Sequence, residues 1–439
     1  MLKSKDYLSD LAQKCIKKSK ALGATEVEVG ISNNISETIN FRNKKIEHSD
    51  RSETLSLGLT TYINKKKSNV STSNFNEENL NQLIERCVEC TKISPGDEFA
   101  GLPDKDELEN NIQDLNLYEK EELSSNFKQN FLKEMEDEMF SHPKIKNSNG
   151  SSFSENKSNF IFANSIGFCN GYHTSSYSVF CEALAEENGQ MERDYEISVS
   201  RFYKNLDDAK KMGKLAAEKA SKRLGAKKIN SGKMPVIFDK RVAKSLLSTF
   251  ASAITGSSFV RGVSFLKESL GKNIFSKEIN IIDDPLIKKG LGSQSFDSEG
   301  VKNKKINLVK DGQFVNLLLD SYNSKILKMK TNGRCGGTTN LFLKNGNTDL
   351  KKIISEQKKA FFVNELIGRS GDITNGNYSV GASGFMIDNG EIAYPVNEVT
   401  MASDLTTMFK NLIPLNDLNL KYQVNSPSIY INEITVAGK

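Results

Sequence analysis

Histidine is almost missing from this chain of 439 residues, which has only 3, at His48, His142 and His173. None stands in His-Glu-x-x-His spacing and none has a second histidine nearby, so a metal site built on a local imidazole pair is excluded. Cysteine is sparse as well. Six cysteines over this length make no disulfide framework and point to a reducing cytoplasm. No apolar run approaches the ~18 residues that a membrane-spanning helix needs. The first residues mix Lys3, Lys5, Asp6 and Asp10 without an apolar core, so no signal peptide is read there. Excess charge of one sign is lacking too, with 60 Lys and Arg against 55 Asp and Glu and a net charge of +5. That is too little to hold nucleic acid by bulk attraction. The basic run Lys210, Lys211, Lys214, Lys219, Lys222 and Arg223 has no interleaved aromatics and reads as a solvated helix face.

What is present is ordinary globular composition, 37% hydrophobic and 26% charged, long enough for two or three domains. Residues 1–95 read as an N-terminal α+β unit. Leu8, Leu11, Ala12, Cys15, Ile16 and Leu22 fall at helical spacing before Gly23. Strand patterns follow over 26–32, 36–42, 54–63 and 69–73, then a helix over 77–92. A Gly- and Pro-bearing stretch over 94–106 reads as a linker. Residues 115–226 form a central unit, with a charged helix over 117–140 stopped by Pro143, an antiparallel meander over 145–203, and a helix over 206–223. Residues 232–439 form a C-terminal α+β unit. It opens on the strand 235–238 and a helix with the buried stripe Val242, Ala243, Leu246, Leu247, Phe250, Ala251 and Ile254. Asp311-Gly312 and Asn389-Gly390 mark hairpins, and short helices are read over 321–330 and 403–410. The fold class is α+β with mixed and antiparallel sheets and flanking helices. Nothing shows the regular alternation of a doubly wound parallel core.

Few local patterns carry chemistry. Cys87 and Cys90 form a C-x-x-C inside a helix without a second pair, which is more often packing than redox or zinc chemistry. Cys169, His173 and Cys181 resemble ligands in one dimension, but on a continuous strand Cys169 and His173 lie about 13 Å apart. Gly381-Ala382-Ser383-Gly384-Phe385 misses the G-x-S-x-G elbow by its last residue. The glycines around 290–292 and 333–337 lack the Lys-Ser/Thr of a phosphate loop. The carboxylates Asp283, Asp284, Asp297 and Glu299 flank Pro285 and Gly300, as turn-forming residues first and a functional patch second. An extended peptide is expected to add to the apolar strands around 381–384 through backbone hydrogen bonds.

Seven stretches together resemble the TldD/PmbA family, in its PmbA (TldE) branch. They are Gly23 to Val29, Arg261 to Lys267, Asp283-Asp284-Pro285, Gly290 to Ser293, Phe296 to Val301, Ile392 to Val396 and Glu433 to Gly438. The resemblance implies three structural segments and a cytosolic metallopeptidase assembly of two related subunits, acting on extended peptides. It implies zinc in the TldD-type subunit, on a His-Glu-x-x-x-His motif in the first helix of the third segment. At those positions this chain has Ser248, Thr249 and Ala253, placed by the preceding Leu246-Leu247. None is a competent zinc donor, so no catalytic or metal residue and no cofactor is expected on this chain. The resemblance thus implies a non-catalytic partner for a TldD-type homologue, homodimeric in isolation. The alternative it leaves is a stand-alone peptide-binding or regulatory protein of the antitoxin or gyrase-modulator kind. A metal-independent hydrolase using serine or the acidic cluster is a third option.

Overall fold

The computed structural model describes residues 2–368 and 370–439. The chain opens with α1 (Lys5–Ala21), β1 (Glu26–Arg42), β2 (Lys45–Ile63), β3 (Lys66–Thr72) and α2 (Glu77–Ile93). It continues through α3 (Ser125–Ser141), β4 (Ile145–Asn164), β5 (Cys169–Glu187), β6 (Gln190–Ser200) and α4 (Ala209–Lys222). These strands form one antiparallel sheet in the order β3-β2-β1-β4-β5-β6, because β1 pairs with β4 from Glu28↔Asn164 to Phe41↔Ser151. The first two segments therefore share a sheet.

Two differences from the sequence reading have local causes. The patterns over 26–32 and 36–42 are one strand, because the polar residues between them are satisfied within the sheet. Buried Asn33 accepts from the Lys3 N–H at 2.6 Å and donates to the Thr54 carbonyl at 3.0 Å. The helix expected from residue 117 begins only at Ser125. Ser124 caps it by accepting from the Phe127 N–H at 3.2 Å, and the stretch before it is extended, with the Leu117 carbonyl accepting from the Ser175 N–H.

Odd-numbered residues of β1 point to one face, and both helix pairs cover that face side by side. Val27, Val29 and Ile31 pack with Leu8, Ala12, Ile84 and Val88 of α1 and α2. Ile39 and Phe41 pack with Leu132, Met135, Met212 and Ala216 of α3 and α4. The opposite face carries a smaller aromatic cluster, in which Phe162 and Phe168 meet Leu108, just after the linker, and Phe296 of the third segment.

The third segment holds β7 (Gly232–Phe238), α5 (Lys240–Ala253), α6 (Gly256–Val260), β8 (Ile281–Asp283), β9 (Ile306–Lys310), β10 (Gln313–Phe314), α7 (Ser321–Ile326) and β11 (Leu341–Leu343). It ends with α8 (Leu350–Ser355), β12 (Lys359–Ile367), β13 (Asn377–Asp388), β14 (Glu391–Asp404), α9 (Leu405–Asn411), β15 (Leu412–Pro414), β16 (Val424–Asn425) and β17 (Ile429–Ala437). One sheet runs β14-β13-β12-β7-β17-β15 and closes on itself where β14 pairs with β17, at Thr400↔Ala437 to Ala402↔Thr435. A smaller sheet runs β10-β9-β8-β11-β16. The only parallel pairs in these two sheets, among the described residues, are β7–β12 and β11–β16. The result is the mixed and antiparallel α+β fold read from the sequence. Helix α5 packs inward, where Phe250 meets Phe275, Phe314 and Phe409 edge-on at 5.5–5.9 Å.

The closed sheet corrects one expectation. Residues 381–384 lie on β13, which is hydrogen-bonded on both sides, to β12 and to β14. No edge is free there for an added strand, and a Cβ at Gly384 would lie 2.0 Å from the Phe362 carbonyl oxygen.

Helix–helix contact in the first sheet rests on Gly213. A Cβ on this α4 residue would lie 2.1 Å from the Met135 carbonyl oxygen of α3. Alanine is the better helix former by about 1 kcal/mol, but forcing the backbones apart costs about 1–3 kcal/mol. Because the obstacle is backbone, which yields least, we expect Gly213→Ala to lower stability by about 1–2 kcal/mol in urea unfolding. A gain in stability would show that the two helices are not in close contact.

Candidate functional site

Helix α5 begins at Asp239, whose carboxylate accepts from the Arg241 N–H at 2.8 Å. Its apolar stripe faces the core, and the other face opens on a cleft of about 760 Å³. The three positions matched to the family's zinc motif part company here. Ser248 is exposed in the cleft and its Oγ donates to the Lys244 carbonyl at 3.2 Å. Thr249 also lines the cleft, half-buried against Gly371. Ala253 is fully buried in the hydrophobic core. Two hydroxyls and a methyl, facing different surroundings, do not fit a zinc ion.

The opposite wall of the cleft is the edge strand β6. Asp194 of β6, fully buried, accepts from Arg241 of α5 at 2.6 Å and from Arg223, which follows α4, at 3.2 Å. Burial pushes its carboxyl up, but the two guanidinium groups and the Tyr195 N–H outweigh that and hold it below the usual range. Arg241 also stacks on Tyr195, its guanidinium carbon 3.6 Å from the ring centre. Glu365 of β12 closes the network, pairing with Arg193 at 3.0 Å and with Arg223. Two smaller hollows of about 280 and 380 Å³ adjoin the cleft, and Tyr422 borders all three. Of these residues only Arg223 stood out in the sequence, in a basic run read as a solvated helix face, and the structure buries it instead against Asp194 and Glu365. The partners are 29, 47 and 142 positions apart in the chain, so no local motif signals them.

The acidic residues singled out in the sequence lie elsewhere and act as braces. Asp283 is fully buried, accepting from Arg334 Nε at 2.6 Å and from the Thr339 N–H and Oγ1 at 2.8 Å. Asp284 accepts from the Leu286 N–H at 3.1 Å and pairs with Lys305 at 3.2 Å. Asp297 accepts from the backbone N–H of Glu299, Val301 and Cys335 at 2.9–3.0 Å. Glu299 accepts from the Ser321 N–H at 2.9 Å. Burial raises its carboxyl, as it does that of Glu28 on β1, which Glu299 raises further. Their lone pairs are spent on holding turns in place.

Cysteines and histidines are equally engaged. Cys87 is buried and 3.3 Å from Thr61 Oγ1, while Cys90 is half-buried on the same helix. Cys169, His173 and Cys181 follow one another along β5. His48 pairs with Asp50 at 2.5 Å, His142 meets Ser221 at 3.2 Å, and the His173 ring lies tilted against Tyr118 at 5.3 Å. Among the described residues, no group of three or more His, Cys, Asp or Glu is placed to hold a metal ion.

Asp297 yields a pH test. Burial, with Glu299 beside it, pushes its carboxyl up from 3.8 to about 7, against the opposing pull of three backbone donors. A carboxyl raised on folding stabilises the native state while protonated. That contribution is complete below about pH 4 and is lost as pH rises through about 7. We expect the wild type to lose stability relative to Asp297→Asn between about pH 5 and pH 8, by at most about 4 kcal/mol. Urea unfolding at the two pH values measures this, and parallel curves for both proteins would contradict it.

The chain matches three family models in order: PmbA/TldA metallopeptidase domain 1 over residues 27–90, the central domain over 118–224, and the C-terminal domain over 231–438. It is 32% identical to the metalloprotease PmbA homologue of Buchnera aphidicola from Acyrthosiphon pisum, over 98% of this chain and 97% of that one. To the metalloprotease TldD homologue of the same organism it is 27% identical, over 58% of this chain and 60% of that one. The crystal structure of TldE from Thermococcus kodakarensis superposes with a TM-score of 0.87, covering 98% of this chain and 100% of that one at 20% identity, a likeness of fold. Near-full coverage on the PmbA side, against partial coverage on the TldD side, places the branch, and this chain belongs to the PmbA/TldE family of metallopeptidase-related proteins.

Proposed function

We propose that this chain is the non-catalytic subunit of a TldD/TldE-type peptidase assembly, in which it walls a channel for extended peptides beside a zinc-bearing TldD-type partner. The observation that carries this reading is on α5. The helix still faces an open cleft of about 760 Å³, yet its zinc-motif positions offer Ser248, Thr249 and the core methyl of Ala253. No reaction step is assigned to a metal on this chain, because those residues cannot activate a water. What the chain supplies is shape. Three hollows bordered by Tyr422 run along β6, two of them walled by α5 and the third by residues 287–291, a form suited to an extended peptide. The occurrence of a PmbA homologue and a TldD homologue in one Buchnera organism supports pairing of the two subunit types. In isolation the chain is proposed to form a homodimer. Its six unpaired cysteines support a cytoplasmic setting.

Purification of the chain alone and together with a TldD-type homologue tests this. We expect no peptide cleavage by the chain alone and chelator-sensitive cleavage by the pair. Stoichiometric zinc in the chain alone, with chelator-sensitive cleavage, would overturn the assignment.

Rebuilding the motif by Ser248→His, Thr249→Glu and Ala253→His should yield little activity. The third change puts an imidazole where the methyl is fully buried, costing about 1–3 kcal/mol by overpacking. Thermal unfolding of Ala253→His alone checks that cost.

A further inference from the structure

One cation in the cleft has no anion. Lys244 of α5 lies one helical turn before Ser248, on the same face of the helix. Its Nζ is 4.6 Å from the centre of the Tyr422 ring, and no carboxylate among the described residues pairs with it. Among the described residues, the other cations lining the cleft and the hollow of about 280 Å³ are matched, whereas Lys289 at the hollow of about 380 Å³ has only a contact with the Phe202 ring. Arg193 pairs with Glu182 and Glu365, Arg241 with Asp194, Lys219 with Glu196, Lys421 with Asp207, and Lys240 approaches Asp417 at 3.9 Å. Lys244 is half-buried, and that burial, with Arg241 beside it, lowers its pKa. An ammonium held there without a partner is poorly compensated.

Two further polar atoms, on residues that line the cleft, lack partners. Ser245, the next residue on α5, has a buried Oγ without a hydrogen-bond partner, and so does Asn364 at its Oδ1. Both residues line the cleft. Asn364 sits where the β12–β13 register shifts between Val363 and Glu365, a bulge that re-aims a side chain. Leaving such an atom unsatisfied is costly.

Resting on the peptide-channel reading above, we propose that Lys244, with the Ser245 hydroxyl donating, forms a subsite for a carboxylate of the bound peptide, while Asn364 Oδ1 accepts a backbone N–H of the same peptide. A carboxylate suits the site better than a more highly charged anion. One ammonium is available, and the guanidinium groups that would fork around a phosphate are already occupied by Asp194 and Glu365. The carboxylate has two sources in a peptide, its C-terminus or an acidic side chain.

The test uses the full chain, alone and with a TldD-type subunit, and N-terminally labelled peptides of one uncharged sequence. They are a free acid, a C-terminal amide, and an amide with one internal glutamate. Fluorescence anisotropy at neutral pH gives the Kd of each. We expect the free acid, the glutamate amide or both to bind about tenfold more tightly than the plain amide. Tighter binding of the acid alone assigns the C-terminus, and tighter binding of the glutamate amide alone assigns a side chain. Lys244→Met should bring all three peptides to a common Kd, and Lys244→Arg, which keeps the charge, should preserve the difference. Equal binding of all three peptides to the wild type would overturn the subsite and leave the peptide channel standing. Failure of every peptide to bind, with and without the partner subunit, would overturn both.

Discussion

The architecture of the cleft depends on one buried carboxylate. Asp194 lies on the last strand of the first sheet, yet it holds Arg223 at the end of α4 and Arg241 at the start of α5. Two units of the chain are therefore joined through a single side chain without solvent exposure. Its negative charge is tolerable only with both guanidinium groups in place. Removing one partner of such a buried set leaves an uncompensated charge, typically worth about 3–5 kcal/mol. The directional bonds also fix β6 against α5, and with them the width of the cleft. Apolar contact alone, as between Phe168 and Phe296, would hold the units together without setting that orientation.

Helix α5 has two duties that its sequence keeps apart. Its inward stripe joins an aromatic cluster around Phe250, and packing of that kind resists any change of volume. Its outward face carries Lys244, Ser245 and Ser248 into the cleft. Ala253 belongs to the first duty and Ser248 to the second, so a ligand set spanning both would have to reach from core to cleft. The same division explains why the braces Asp283 and Asp297 stand apart from this site. They stiffen loops around Arg334 and Cys335, and neither lines the cleft.

Burial patterns made much of the fold legible. The stripe of α5, the helices α2 and α4, and the hairpins at Asp311-Gly312 and Asn389-Gly390 all carry local signatures, the hairpins with positive φ at both turn residues. Strand β2 shows where legibility ends. Its half from Lys45 to Thr54 is exposed on both faces, so no apolar alternation marks it. Backbone pairing with β1 alone defines it as strand. The extended stretch before α3 is similar, since charged residues alone do not distinguish a solvated helix from a strap laid across a sheet.

The sequence by itself determined the α+β class, the three segments with their family resemblance, and that Ser248, Thr249 and Ala253 carry two hydroxyls and a methyl. Each of these is written in residue identity or in a period of two or 3.6, which needs no distant partner. The tertiary structure alone decided that β1 and β4 join two segments in one sheet, and that β14 closes on β17. It alone brought Asp194, Arg223, Arg241 and Glu365 together around the cleft. The physical reason is the same in each case. A buried charge or an unpaired strand edge is costly, and its compensating partner is chosen by how the chain closes in space, across gaps as long as 142 residues.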